Sequence, residues 1–145
     1  MFGTPTKGSV GVYLYDTAPG QETLYENLVL SNSSQPSLAA SIGTQDFDAY
    51  CYEADFSDKA GKAYGQNASC GRYPQVSTTS VTRTLGWHYL NIIVRPGSVA
   101  FYIDGGPALF TVSGDYSFDT IDLKVSGPSW RPNTVAYFDS FSFVP

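Results

Sequence analysis

The feature that most constrains the fold of this chain is a two-residue alternation of side chains in residues 87–95. Successive residues of a β-strand point to opposite faces of a sheet, so this run has two distinct faces. One face is suited to a core, and it carries His88, Leu90, Ile92 and Val94. The other face carries Trp87, Tyr89, Asn91 and Ile93. We therefore predict a strand whose first face lies on the core side, with His88 as a hydrogen-bonded core residue.

Strand patterns recur along the chain, separated by Gly- and Pro-rich turns. Pro96 and Gly97 turn the chain after the first run, and Asp104, Gly105 and Gly106 supply the positive-φ residues of the next hairpin. Other runs with strand character occupy residues 10–15, 24–30, 38–42, 47–54, 76–82, 99–103, 118–125 and 135–144. No stretch has the 3.6-residue apolar period of a helix. About ten or eleven strands without helices predict an all-β, antiparallel two-sheet sandwich that forms a single domain over residues 1–145.

The charge balance argues against two classes of partner. Eight Lys and Arg residues against 13 Asp and Glu give a formal net charge of −5, and the basic residues are scattered. Because nucleic-acid phosphates are bound by clustered Lys and Arg, we expect no nucleic-acid partner. No run approaches the ~18 apolar residues of a membrane span, so we expect no membrane insertion. The first residues lack a secretory signal, and we expect any targeting segment to lie outside this sequence.

Cys51 and Cys70 are the two cysteines, and neither has a Cys or His neighbour at the short spacing of a zinc site. They flank a segment rich in Gly, Ala, Lys and Asn, where a disulfide would staple a long connection and stabilise the fold by ~3 kcal/mol. Two buried free thiols are the alternative. If the disulfide forms, the protein matures outside the cytosol, and we then expect an extracellular or cell-surface location.

Four stretches, taken in order, carry a resemblance to a known family. They are residues 12–16 (VYLYD), 82–88 (TRTLGWH), 99–105 (VAFYIDG) and 137–143 (YFDSFSF). Together they resemble the concanavalin A-like, or laminin-G-like, jelly-roll domains of bacterial secreted and surface proteins. The resemblance implies a jelly-roll sandwich with one concave sheet, and carbohydrate bound across the concave face or at the loop rim.

The same resemblance implies a structural calcium ion, because many members of the family bind one. Asp16 and Asp139 match the aromatic-Asp positions of the family, and calcium needs oxygen ligands from several chain segments. Ser140 stands where relatives often carry a second Asp, and Glu53 stands where an Arg is more usual. Solvated turn carboxylates are the alternative for both Asp residues. We expect no cofactor to be required.

The sequence offers little for catalysis. Glycoside cleavage needs two carboxylates about 5–9 Å apart, and Glu53 and Asp55 are the one pair that includes a Glu and has i, i+2 spacing. This pair lies on the opposite side of its strand from Tyr50 and Tyr52. His88 has no neighbouring Ser or Cys nucleophile with an orienting carboxylate. We therefore expect a protein that is not an enzyme.

A sugar site combines aromatic rings, which meet the apolar C–H face of the sugar, with a few polar side chains. Tyr89 and Asn91 point away from the core face of their strand, and Tyr50 and Tyr52 share one side of theirs. If the two strands are neighbours in one sheet, these four residues form an aromatic face that contains an amide. Core packing and an ordinary solvated strand face are the alternatives for the tyrosines.

Three further residues are candidates for ligand contact. Arg83 either reaches the same face or donates hydrogen bonds to loop carbonyls. Trp130 and Arg131 lie in a Gly- and Pro-containing loop, where an exposed indole beside a guanidinium makes a stiff stacking element. The alternative for Trp130 is a plug at the end of the sandwich. We place the other indole, Trp87, in the core or at its edge.

The sequence therefore predicts a non-catalytic module that binds a poly- or oligosaccharide as part of a larger enzyme or adhesin. The alternative is a structural subunit of an extracellular or surface assembly, whose Tyr- and Phe-rich faces contact neighbouring copies. Aromatic residues are 15% of the chain and charged residues 14%. This composition suits both functions, because Tyr and Trp are favoured in sugar sites and in protein interfaces alike.

Overall fold

The computed structural model describes residues 3–17, 25–44, 49–55, 76–108, 110–126 and 135–145. These residues form ten β-strands and, among them, no helix, which confirms the all-β prediction. The strands are β1 (Gly8–Asp16), β2 (Tyr25–Asn32), β3 (Gln35–Gly43), β4 (Ala49–Asp55), β5 (Val76–Thr82), β6 (Gly86–Arg95), β7 (Ser98–Ile103), β8 (Phe110–Ser113), β9 (Thr120–Ser126) and β10 (Tyr137–Val144).

The strands form two five-stranded sheets. Sheet A has the order β10-β1-β6-β7-β8, and Sheet B has the order β5-β4-β3-β2-β9. Every neighbouring pair is antiparallel. Contacts of β1 with β2 and of β3 with β6 bring the two sheets face to face as a sandwich. Because β10 is the neighbour of β1 and β9 the neighbour of β2, these two edge strands lie on the same side of the sandwich.

The core lies between the sheets, and strand alternation explains which residues fill it. In Sheet A, β1 and β6 pair so that Val10 lies opposite Ile92 and Val12 opposite Leu90. Opposite residues of an antiparallel pair share a face, and all four side chains are fully buried. Burial of each such side chain stabilises the fold by roughly 1.5–3 kcal/mol. Sheet B contributes the buried residues Leu28, Leu30, Ala40 and Ile42.

The predicted core face of β6 is confirmed, and the predicted turn after β7 is confirmed in part. Leu90, Ile92 and Val94 are buried in the core cluster, and His88 lies at its end with 9% of its surface exposed. The turn after β7 has φ values of 55° at Asp104 and 66° at Gly105, as predicted, whereas the positive φ predicted for Gly106 is not observed.

The single aromatic face predicted from Tyr50, Tyr52, Tyr89 and Asn91 does not form, because β4 and β6 lie in different sheets. β4 pairs with β3 and β5, whereas β6 pairs with β1 and β7. Alternation along a strand shows that it is half-buried, but it does not specify which strand lies beside it.

Candidate functional site

The outer face of Sheet A, which points away from the core, carries a group of aromatic side chains from three adjacent strands. In one row, Tyr15 of β1 lies between Trp87 of β6 and Tyr137 of β10. In the next row, Tyr13 lies opposite Tyr89, with Asp139 on its other side. We call the five aromatic residues of these two rows the aromatic platform: Tyr13, Tyr15, Trp87, Tyr89 and Tyr137.

The aromatic platform is open to solvent. The exposed fraction is 41% for Tyr13, 49% for Trp87 and 55% for Tyr137, while Tyr15 and Tyr89 are half-buried. The prediction that Trp87 lies in the core or at its edge is therefore wrong. Trp87 and Tyr89 are two residues apart in β6, so their side chains point to the same face, and the core occupies the opposite face of β6.

Ring contacts between neighbouring strands hold the platform together. The rings of Tyr13 and Tyr89 are 4.9 Å apart between centroids, with an interplanar angle of 46°. Tyr15 and Trp87 make an edge contact at 5.2 Å and 80°. Both distances fall in the range in which aromatic pairs stabilise each other by about 0.5–1.5 kcal/mol beyond the area that they bury.

Tyr89 lies along the surface of the sheet rather than standing upright from it. Its side chain crosses β1 at Gly11, where an added Cβ atom would be 1.9 Å from the tyrosine hydroxyl oxygen. Beyond Gly11, that hydroxyl is 3.1 Å from the Ser142 Oγ of β10. Glycine at position 11 therefore makes room for the ring, and Ser142 holds the far end of the side chain.

Asn91, a predicted ligand residue, lies on the same outer face but is buried. Its Nδ2 donates hydrogen bonds to Ser9 Oγ at 2.9 Å and to the Val10 carbonyl oxygen at 2.8 Å. Both donor hydrogens of this amide therefore tie β6 to β1.

Arg83 does not reach the aromatic platform. Its Nε and one terminal guanidinium nitrogen each donate a 2.8 Å hydrogen bond to a different carboxylate oxygen of Asp16, and both side chains are buried. Neither predicted alternative for Arg83, ligand contact or bonds to loop carbonyls, included this bidentate ion pair. Charge-assisted pairs of this geometry are strong and directional.

The two predicted calcium ligands are not brought together. Asp16 alternates in step with the buried residues of β1, so it lies on the core face of the sheet, where it binds Arg83. Asp139 lies opposite Tyr13 on the outer face of the same sheet. Asp139 Oδ1 accepts a 2.7 Å hydrogen bond from the Ser140 backbone N–H. In the part of the chain that the structure describes, no group of three His, Cys, Asp or Glu residues could hold a metal ion.

Glu26 of β2 is a buried carboxyl group that the sequence did not single out. It is 1% exposed, and within the described residues neither carboxylate oxygen has a hydrogen-bond partner. Burial raises the pKa of Glu26 to about 7, with the Asp16 carboxylate acting in the same direction and the Arg83 guanidinium against it. Glu26 and the Asp16–Arg83 pair therefore form a polar group at the buried end of β1 and β2.

His88 is hydrogen-bonded at the core boundary, as predicted. Its Nδ1 is 2.7 Å from Asp104 Oδ2, and its Nε2 is 3.0 Å from Thr84 Oγ1. The other carboxylate oxygen of Asp104 accepts the Tyr89 backbone N–H at 2.8 Å. Asp104 thus links the β7 turn to the β6 strand that carries Trp87 and Tyr89.

The remaining predicted residues divide into two groups. Tyr50, Tyr52 and Cys51 lie in β4, where the backbone register pairs Tyr52 with Ile42 of β3. Cys70, Trp130 and Arg131 lie outside the described residues. The Cys51–Cys70 disulfide and the stacking or plugging role of Trp130 therefore stay predictions.

Neither a family model nor a curated protein matches this chain. Among the residues that the structure describes, no helix has the length and apolar character that a membrane-spanning helix needs.

Proposed function

We propose that this chain is a non-catalytic carbohydrate-binding module whose ligand lies on the aromatic platform. The observation that carries the proposal is the exposed cross-strand array of aromatic rings on the outer face of Sheet A. Exposed aromatic residues that adjoin one another mark binding surfaces, whereas single exposed aromatic residues need no explanation.

The chemistry of the platform suits a sugar. Aromatic faces pack against the C–H face of a pyranose ring, and polar side chains at the rim accept or donate hydrogen bonds to its hydroxyl groups. Asp139 and Ser142 border the tyrosines on β10, and both are at least partly exposed. The tyrosine hydroxyl groups supply further donors and acceptors.

The buried carboxyl groups support binding rather than catalysis. A glycosidase acts through two carboxyl groups that both reach the scissile bond. Glu26 is buried, and both Asp16 oxygens are bound by Arg83. In the two rows of the platform region, Asp139 is the single carboxylate.

The proposal includes a concanavalin A-like jelly-roll fold and an extracellular or cell-surface location. Residues 12–16 and 137–143 lie in β1 and β10, residues 99–105 cover most of β7 and the turn after it, and residues 82–88 run from the end of β5 into β6. All four therefore lie in or next to Sheet A, which also carries the platform. The location rests on the predicted Cys51–Cys70 disulfide, which mass spectrometry before and after reduction tests directly.

Affinity gel electrophoresis in a panel of soluble polysaccharides tests the proposed function. We expect retardation of the wild-type chain by at least one polysaccharide, and loss of that retardation in Trp87→Ala and Tyr137→Ala. Leu123→Ala is the matched control, because Leu123 is 41% exposed on β9 of Sheet B. Thermal unfolding of each variant verifies that it is folded. If no polysaccharide retards the wild type, the proposal is wrong.

A second candidate function, as a structural subunit of an assembly, has its own supporting observation. The edge strands β9 and β10 lie on one side of the sandwich, and both expose large apolar side chains: Leu123, Val125, Phe141 and Val144. An edge strand with exposed apolar residues is a template for pairing with another chain. Size-exclusion chromatography with light scattering should then show oligomers that Phe141→Glu dissociates, whereas a monomer at high concentration contradicts this candidate.

A further inference from the structure

Within the described residues, the aromatic platform is an open floor of aromatic side chains across three strands. Tyr89 lies along the sheet over Gly11, so that its ring adds to the surface instead of forming a wall. Adjacent strands are about 4.8 Å apart, so the row from Tyr137 through Tyr15 to Trp87 extends over about 10 Å. The second row lies two residues further along each strand, at about 7 Å. This floor is longer than one sugar ring.

Among the described residues, the charged side chains next to the aromatic platform are acidic. Asp139 is exposed in the second row, and Asp104 borders Tyr89. The basic side chains of the described residues lie elsewhere: Lys7 binds Asp115, Arg83 is buried against Asp16, Arg95 ends β6 at the other end from Trp87, and Lys124 lies on β9 of Sheet B. At the described residues of the platform, a carboxylated or sulfated glycan would therefore meet negative charge and no basic side chain.

We infer that the aromatic platform binds an internal segment of a linear, uncharged polysaccharide, which lies across β10, β1 and β6. This inference rests on the proposed function and narrows its ligand. A chain end needs a pocket that encloses the terminal sugar, and the two rows present a floor instead. An acidic glycan needs cationic side chains, and the two rows carry Asp139.

Two experiments test the inference. In the first, isothermal calorimetry compares a monosaccharide with the di-, tri- and tetrasaccharides of whichever neutral polysaccharide retards the chain in the gel. We expect the affinity to rise by roughly tenfold or more from one to three sugars and then to level off, because each added ring covers another part of the floor. Blocking the chain ends of the oligosaccharide by methylation should leave the affinity unchanged within about twofold.

The second experiment is affinity gel electrophoresis with polygalacturonate in the gel in place of a neutral polysaccharide. We expect no retardation of the wild type by polygalacturonate, and new, salt-sensitive retardation of Asp139→Lys. Asp122→Lys is the control for charge reversal, because Asp122 lies on β9 of Sheet B. Its retardation should match that of the wild type.

The outcomes separate the inference from the proposed function. If no polysaccharide of either kind retards the chain, the proposed function itself fails. If neutral glycans bind but a monosaccharide binds as tightly as a trisaccharide, or end-blocking abolishes binding, the function stands and the internal-segment inference is overturned. If the wild type binds polygalacturonate as tightly as neutral glycans, the uncharged class is overturned.

Discussion

Replacing Glu26 by glutamine should remove a large pH-dependent loss of stability. Glu26 is 1% exposed and its carboxylate oxygens have no hydrogen-bond partner within the described residues, so ionisation places an unpaired charge in the protein interior. Burial and the Asp16 carboxylate raise the pKa of Glu26 from 4.5 to about 7, against the opposing effect of Arg83. Glutamine has nearly the same shape and does not ionise.

The size and sign of the effect follow from the two pKa values. Between pH 4.5 and about 7 the unfolded chain has lost the Glu26 proton while the folded chain retains it. The unfolded state therefore binds fewer protons, and the free energy of unfolding falls as the pH rises. Each pH unit in this range costs about 1.4 kcal/mol, so the loss from this group reaches about 3.5 kcal/mol and levels off at about pH 8.

Urea unfolding followed by tryptophan fluorescence measures this loss at pH 4.5, 5.5, 6.5 and 8. The quantity to compare is the free energy of unfolding of Glu26→Gln minus that of the wild type, since titrating groups distant from Glu26 cancel in the difference. We expect this difference to rise by up to about 3 kcal/mol from pH 4.5 to pH 8. Asp122→Asn on β9 is the matched carboxyl-to-amide control for the substitution itself.

A difference that stays constant within about 0.5 kcal/mol over the whole range would refute the reasoning. Glu26 would then ionise as readily in the folded state as in the unfolded chain. A difference that falls with pH would also contradict it, because that sign requires a carboxylate that is stabilised in the folded state.

Two further substitutions test the contacts that hold the candidate site. Gly11→Ala puts a Cβ atom 1.9 Å from the Tyr89 hydroxyl oxygen, and we expect a loss of about 1–3 kcal/mol in urea unfolding together with weaker glycan retardation. Arg83→Met leaves the buried Asp16 carboxylate without its bidentate partner, and we expect a loss of about 3–5 kcal/mol, of which the double variant with Asp16→Leu recovers a large part. Equal losses in the single and double variants would contradict this account.

Local patterns predicted several elements of the fold well. The alternation in β6 and the Asp104–Gly105 turn both follow from the period of a strand and from backbone sterics, which act between near neighbours. In β1, Tyr13 and Tyr15 alternate with apolar residues, and this alternation was also visible in the sequence. That alternation was the available signal for Tyr13 and Tyr15, whereas the prediction named Tyr89 and grouped it with Tyr50 and Tyr52 on the condition that their strands were neighbours.

Trp87 shows why composition misleads at single residues. A large indole at the start of a core strand is buried on average. Its position in β6 instead places it with Tyr89 on the outer face, where it contacts Tyr15 of the neighbouring strand. The two-residue alternation of the strand therefore predicts the position of Trp87 better than the hydrophobicity of its side chain does.

The proximity of Glu26 and Arg83 to Asp16 could not have been predicted from the sequence. Glu26 lies in β2 and Arg83 follows β5, so three strands lie between them along the chain, and each residue stands in an ordinary polar context. Only the packing of β2 against β1 and the path of the chain into β6 bring both to Asp16.

By itself, the sequence determined that this protein is a β-sandwich with apolar strand faces inside and aromatic residues in excess of what a core requires. These properties depend on strand period and turn chemistry, which are local. The tertiary structure alone decided which strands are neighbours, and therefore that Tyr15, Trp87 and Tyr137 share one exposed row while Tyr50 and Tyr52 lie in the other sheet. Strand pairing joins residues far apart in the chain, and many pairings satisfy the same alternation, so only the packed fold selects one of them.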